Sequence, residues 1–277
     1  MNQHLVAFDL DGTLLDNDHS ISSETIISIN KIQNQNNLIA IATGRSFSAC
    51  KLYANQINAD YIVACNGAMI YDVNQKEIIK KTPIPKNTAI DILNQLYEHN
   101  DKLKIQWDSF DTYFSNNLLP FEENYINVFK REYPDEVFNM AIIESRDKII
   151  EYNFDDIYQI FTYSLIKPHT EYFQVLDNLK SYEDLHYVDF KMSYTDITHK
   201  DVDKGTALGY IADLNGLDYE NVVAFGDSYN DRTMLEYAGI SVAMGNADEE
   251  IKNIAKNVTK ANSEDGVGDF LKHYFKM

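Results

Sequence analysis

Cysteine is nearly missing from this sequence. Cys50 and Cys65 are the only two, and their spacing matches no metal or redox motif. A disulfide framework is therefore excluded, and a reducing cytoplasm is the expected setting. Long apolar runs are missing as well. None approaches the roughly 18 to 20 residues that span a bilayer. The opening, MNQHLVAFDLDG, has no basic stretch and reaches acidic residues at once, so it does not read as a signal peptide. Basic charge is scarce, with 24 Lys and Arg against 43 Asp and Glu and a net charge of −19. Such a surface repels phosphate backbones, which excludes nucleic acid and anionic membrane as expected partners. There is no internal repeat and no low-complexity tract. What remains, 44% hydrophobic and 24% charged residues, is ordinary globular composition. At 277 residues the chain exceeds one comfortable hydrophobic core, so one large or two smaller domains are expected.

Short apolar runs are present in number. Residues 4–8 (HLVAF), 38–42 (LIAIA), 61–65 (YIVAC), 221–227 (NVVAFGD) and 240–244 (ISVAM) read as strands. Helical stretches lie between them, one capped by Ser22 or Ser23 with Ile26, Ile29 and Ile32 on a single face. All-apolar strands alternating with helices predict a parallel sheet covered on both faces. Residues 68–80 predict a hairpin turning near Asn74-Gln75. Beyond Pro83 and Pro85 the character changes. Residues 84–190 hold 20 of the 34 aromatics, and 20 acidic against 9 basic residues. This segment reads as an inserted domain. The α/β rhythm then returns with a capped helix over 203–216, a final strand at 240–244 and a closing helix over 267–275. The expected architecture is a doubly wound α/β core of 1–83 and 191–277, with an inserted α/β domain of 84–190.

Four polar clusters follow apolar runs or open helices: Asp9-Leu10-Asp11, Thr43-Gly44, Asp203-Lys204-Gly205 and Gly226-Asp227-Ser228-Tyr229-Asn230-Asp231. Open α/β sheets bind ligands beyond the carboxyl ends of their strands, so these clusters are expected to converge. Carboxylates gathered in one place repel, and a hard divalent cation with oxygen ligands removes that repulsion. Mg²⁺ suits a few carboxylates, waters and a substrate phosphate. Thr43 and Lys204 offer a hydroxyl and an ammonium to an anionic group. Asp9, at a strand end, can attack phosphorus, while Asp11 can protonate the leaving oxygen and later activate water. Gly12, directly after them, lets the chain turn away sharply. Arg45 reads either as a substrate-steering group or as a salt-bridge partner.

DLDGTLL, ATGRS, DKGTAL and GDSYND, in this order, resemble the four motifs of the haloacid dehalogenase superfamily. The insertion resembles the large cap of its subclass IIB, and Asn66-Gly67-Ala68, AMGNA and NSEDGV resemble the Cof-type sugar-phosphate phosphatases. The resemblance implies a Mg²⁺-dependent phosphatase acting on small phosphorylated metabolites, with Asp9 as nucleophile and metal ligand. Asp11 would be the acid/base and a metal ligand through its backbone carbonyl, and Asp227 the third ligand. Thr43, Gly44, Lys204 and Asn230 would hold the phosphoryl group, with Asp231 orienting metal waters or Lys204. A sugar phosphomutase using the same intermediate, or a sensor without turnover, would share these motifs. Residues 196–201 (DITHKD) depart from the family's usual Glu-Ile, Pro and Gly pattern.

Overall fold

The structure, a computed structural model, describes residues 3–110, 112–132, 134, 137–152, 156–167, 169–190 and 194–276. Met1, Lys191 and Met277, which bound the expected core segments, lie outside the described residues. The elements run β1 (Leu5–Phe8), α1 (Ser23–Gln33), β2 (Leu38–Ala42), α2 (Phe47–Gln56), β3 (Tyr61–Ala64), β4 (Met69–Asp72) and β5 (Glu77–Lys81). There follow α3 (Lys86–Tyr97), β6 (Leu103–Asp108), β7 (Thr112–Ser115), α4 (Pro120–Glu132), β8 (Asn139–Ile142) and α5 (Arg146–Glu151). Next come β9 (Gln159–Ser164), α6 (Thr170–Leu179), β10 (Leu185–Phe190) and β11 (Tyr194–His199). The chain closes with α7 (Lys204–Leu214), β12 (Val222–Gly226), α8 (Arg232–Tyr237), β13 (Ile240–Ala243), α9 (Glu249–Ile254), β14 (Asn257–Val258) and α10 (Gly266–Tyr274).

Two compact units result. One comprises residues 1–45, 50–81 and 202–277, the other 46–49 and 82–201. The first is built on an eight-stranded sheet in the order β14-β13-β12-β1-β2-β3-β4-β5. It is parallel from β14 to β3, with β4 and β5 antiparallel at one edge. Its central strands carry no outward polar face, because every residue of β1 and β12 is buried. Leu5, Ala7, Val222 and Ala224 pack under Leu208 and Ile211 of α7 and Met234 of α8. Their alternates Val6, Phe8, Val223 and Phe225 are equally buried. From β1 the order runs outward to β2 and β3 on one side and to β12 and β13 on the other. The winding therefore reverses at β1, where ligands of such sheets gather. Ser22 caps α1 by accepting from the Thr25 backbone N–H, and Ile29 and Ile32 are fully buried while Ile26 is half-buried. The strand at 240–244 is not the last, since the two-residue β14 adds to the sheet beyond it.

The second unit has a six-stranded sheet in the order β10-β11-β9-β6-β7-β8, antiparallel except for the β7–β8 pair. Leu103, Ile105 and Trp107 of β6 face Leu93, Tyr172 and Leu176 from the helices. The sequence reading put 191–277 in the core. Tyr194–His199 instead forms a hairpin with β10 and also pairs with β9, so the return to the first unit comes at Val202. The physical reason is the ladder itself: six backbone-paired positions join β10 to β11, and a one-residue slip would turn buried Ile197 outward.

Trp107 is fully buried, stacked on Phe114 at 5.4 Å between ring centroids and edge-on to Tyr97 at 6.1 Å. Trp107→Ala is expected to destabilise this unit by about 3–5 kcal/mol. Urea unfolding followed by far-UV circular dichroism measures it, and a loss below ~1 kcal/mol would mean that the ring is not the packing centre described.

Candidate functional site

β1 and β12 are neighbours in register, and both end in an aspartate. The Asp9 backbone N–H donates to the Phe225 carbonyl at 3.0 Å, so the strand pairing itself delivers Asp9 beside the β12 end. Beyond Asp9 the chain folds into a tight turn. Leu14 N–H reaches the Asp9 carbonyl at 3.2 Å and Leu15 N–H the Leu10 carbonyl at 2.9 Å. Leu10, Leu14 and Leu15 are buried and anchor the turn. Gly12 sits at φ 78°, and a Cβ there would lie 2.4 Å from Asp227 Oδ2. Asp227 can approach the turn this closely only because position 12 has no side chain. Thr13 Oγ1 donates to Asp227 Oδ1 at 2.9 Å, and the Asn246 amide reaches Asp227 Oδ2 at 3.4 Å and the Gly12 carbonyl at 2.8 Å.

Lys204 opens α7. Asp203 caps that helix, accepting from Thr206 N–H at 2.7 Å, a contact worth on the order of 1 kcal/mol. A lysine in the first helical turn opposes the helix dipole. Here it is fully buried, and its ammonium donates to Asp9 Oδ1 at 2.7 Å and Asp231 Oδ1 at 2.6 Å. Asp231 Oδ2 accepts from the backbone N–H groups of Asp227 and Ser228, both at 2.9 Å. Asp231 thus ties the β12 end to α7 with both oxygens already engaged.

Asp9, Asp227 and Asp231 each bring a carboxylate oxygen into one group whose members lie within 4.8 Å of one another. Asp9 and Asp227 of the expected ligands belong to this group, while Asp11, expected to bind through its backbone carbonyl, brings no carboxylate to it. The Asp11 carboxylate turns away and pairs with Arg45, whose Nε and Nη2 lie 2.7 and 2.5 Å from its two oxygens. The cause is local: Asp11 is half-exposed, three residues beyond the end of β1, and the Arg45 guanidinium lies against it. Asp231 already accepts from Lys204 and two N–H groups, so Asp9, which accepts from Lys204, and Asp227, which accepts from Thr13 and Asn246, have more lone pairs to offer. Hard oxygen donors of this kind fit a divalent cation.

The electrostatics follow from burial. Burial raises the Asp9 carboxyl well above the ordinary carboxylate range, Asp231 pushes it further, and Lys204 offsets part of this. Burial, reinforced by Asp231 and opposed by the Thr13 hydrogen bond, pushes Asp227 up to about 7. Burial also works against the Lys204 charge, but Asp231 and Asp9 outweigh it and hold its pKa above the usual lysine value. For Asp11, burial acts upward, yet the Arg45 hydrogen bonds and charge prevail and hold it below the ordinary value.

Thr43 and Gly44 follow β2, the strand beside β1, and Thr43 is buried with its hydroxyl accepting from Arg45 N–H at 3.1 Å. A Cβ on Gly44 would stand 3.4 Å from Asn230 Nδ2, so Gly44 and Asn230 meet. All the sequence-predicted site residues therefore belong to one unit. Sequence reasoning gave no role to Thr13, Asn66 or Asn246, although each lay in a quoted motif: DLDGTLL, Asn66-Gly67-Ala68 and AMGNA. Motif membership was the only signal available for them.

Residues 6–271 match the model of the haloacid dehalogenase-like hydrolases. The chain is 31% identical to the 5-amino-6-(5-phospho-D-ribitylamino)uracil phosphatase YitU of Bacillus subtilis, across 99% of this chain and 98% of that one. A solved haloacid dehalogenase-like hydrolase from B. subtilis superposes with a TM-score of 0.82 at 28% identity, covering 98% of this chain and 99% of that one. A solved subclass IIB sugar phosphatase has a TM-score of 0.78 over 99% of this chain and 100% of its own, and at 23% identity it speaks for the fold.

Lys204→Met leaves two buried carboxylates without their cation, a change that costs about 3–5 kcal/mol at neutral pH. Carboxyls so stranded take up protons, so the penalty shrinks as pH falls. The difference in melting temperature between wild type and Lys204→Met is expected to be clearly smaller at pH 5 than at pH 8. An equal difference at both would show that Lys204 is not held by ionised Asp9 and Asp231.

Proposed function

Because the chain belongs to the haloacid dehalogenase-like hydrolases, and within them to the Cof-type subclass IIB phosphatases, we propose that it hydrolyses small sugar or polyol phosphates with Mg²⁺ through an aspartyl phosphate on Asp9. Phosphatase activity on small phosphorylated substrates follows from the family. The observation that best supports the finer reading is the buried Lys204 ammonium held between Asp9 and Asp231, with Asp227 in the same carboxylate group.

Lys204 holds Asp9 Oδ1, which leaves Oδ2 to form the bond to phosphorus. As the ester P–O bond breaks, its oxygen takes a proton from Asp11. A water then attacks phosphorus, its proton passes to the Asp11 carboxylate, and the Asp9–phosphorus bond breaks to release inorganic phosphate. Asp11 can carry a proton only once it leaves Arg45, which holds its pKa down. Thr43, the Gly44 backbone and Asn230 hold the phosphoryl oxygens. Asp9 and Asp227, with the Asp11 carbonyl, would hold Mg²⁺, which supplies Lewis-acid stabilisation of the phosphoryl charge. The second unit, residues 46–49 and 82–201, would select among leaving groups. The name of the relative YitU supports a phosphorylated polyol or sugar as substrate. Cys50 and Cys65 are not joined in a disulfide, which accords with a cytoplasmic setting.

Asp9→Asn keeps the shape and removes the attacking charge, so kcat is expected to fall by about 10⁴ or more while the melting temperature survives. Substantial turnover in the folded variant would overturn the nucleophile. In a panel of phosphorylated metabolites, phosphate release is expected to be fastest from sugar or polyol phosphates, and preference for nucleotides would overturn the substrate class.

EDTA is expected to abolish activity, Mg²⁺ to restore it, and Ca²⁺ to restore it poorly because its looser coordination misplaces the nucleophile. The same ligands set a pH dependence. A carboxyl with a raised folded pKa begins to cost stability above its ordinary value of 3.8, and the cost is full above the folded value, about 7 for Asp227. A bound cation removes that cost by replacing the proton. The rise in melting temperature on adding MgCl₂ should therefore be larger at pH 8 than at pH 5, and a pH-independent rise would argue against Asp9 and Asp227 as ligands.

A further inference from the structure

Three consecutive residues after β3 lie in the left-handed region: Cys65 at φ 49°, Asn66 at φ 56° and Gly67 at φ 110°. All three are buried. Two non-glycine residues side by side in this region cost stability, and such strain persists where the surroundings demand it, most often at functional sites. The surroundings here are the two loops read as holding the phosphoryl group. Cys65 N–H donates to the Arg45 carbonyl and Asn66 N–H to the Thr43 carbonyl, both at 2.9 Å, so the strained turn spans the Thr43–Gly44 loop from below. The Asn66 side chain reaches the other loop, where its Oδ1 accepts from Asn230 Nδ2 at 2.9 Å. A Cβ on Gly44 would lie 3.2 Å from that same Oδ1, so the amide pair stands directly over Gly44.

We infer that Asn66 is a positioning residue of the phosphoryl site, aiming the Asn230 amide with its side chain and fixing the Thr43–Gly44 turn with its backbone. The inference rests on the reading of Thr43, Gly44 and Asn230 given above. An Asn amide has two N–H donors on one plane. Binding one of them to Asn66 fixes that plane and leaves the second to donate to an anion. The residue type follows from both demands. Asparagine tolerates the left-handed conformation better than other side chains with a carboxamide or carboxylate, save aspartate, which would add a negative charge beside an anion site.

Inorganic phosphate, the reaction product, is the probe. Its inhibition constant is measured for wild type, Asn66→Gly, Asn230→Ala and the double variant, with a small phosphate ester as substrate. Asn66→Gly keeps the positive φ and loses only the amide. It is expected to raise the inhibition constant and KM by roughly three- to tenfold, the worth of one oriented hydrogen bond. The double variant should be little worse than the weaker-binding single variant, because the amide pair acts as one unit. A wild-type inhibition constant in Asn66→Gly, or losses that multiply in the double variant, would overturn the inference. A wild-type constant in Asn230→Ala would overturn the phosphoryl-site reading instead. Should Asn66→Gly fail to fold, nuclear magnetic resonance of the wild-type Asn230 side chain decides. One amide proton should be protected and the other should shift as phosphate is added, whereas two equivalent, unprotected protons would refute the positioning role.

Discussion

The buried ammonium of Lys204 is the contact on which the site depends. Carboxylates gathered beyond the ends of β1 and β12 would not share a water-poor crevice unaided, because burial and the like charge of its neighbours both raise the cost of ionising Asp9. A fully buried cation at 2.7 and 2.6 Å from Asp9 and Asp231 makes that arrangement tolerable. The sites of attachment matter as much as the charge. Lys204 is the first residue of α7, so the contact also sets where that helix docks, and Asp203 secures the helix end with its own hydrogen bond.

From that contact the rest of the constellation is held by short-range geometry. Asp231 spends its second oxygen on the N–H groups of Asp227 and Ser228, which bends the chain as it leaves β12. Thr13 and Asn246 take up the Asp227 carboxylate from two other segments. Gly12 supplies the space that allows it. The result is a preorganised set of oxygens and donors whose positions do not have to be found during reaction, which is where electrostatic stabilisation gains its effect.

A chain of net charge −19 that acts on a phosphorylated metabolite needs a local field opposed to its global one. Exposed charges separated by more than about 8 Å are screened at physiological salt, whereas a buried ammonium is not. The Lys204 ammonium is already matched by Asp9 and Asp231, so under the function proposed above most of that field would have to come from a bound cation. Arg45 belongs to the same balance. Paired with Asp11, it keeps one further carboxylate ionised, and its guanidinium stacks on Tyr53 at 5.2 Å.

The sequence alone determined the class of fold. Unbroken apolar runs as short as LVAF, LIAIA and VVAFG, each closed by turn residues, read as strands buried on both faces, and that pattern is visible without any partner. The aspartates at their ends announced the crevice for the same local reason. What the tertiary structure decided were the matters that depend on which segments meet. Residues 194–199 fall in the expected core segment 191–277 and instead become a strand of the second sheet, because β9 and β10 offer unpaired backbone. The two-residue β14 has no pattern of its own and exists only against β13. Asp11 and Asp231 are both acidic residues close to a motif aspartate. One turns to Arg45 and the other to Lys204, since a carboxylate goes to the nearest cation, and neither distance is written in a linear chain. Asn66 shows the same limit: its left-handed backbone and its bond to Asn230 bring together residues 164 positions apart, and only the folded chain sets that distance.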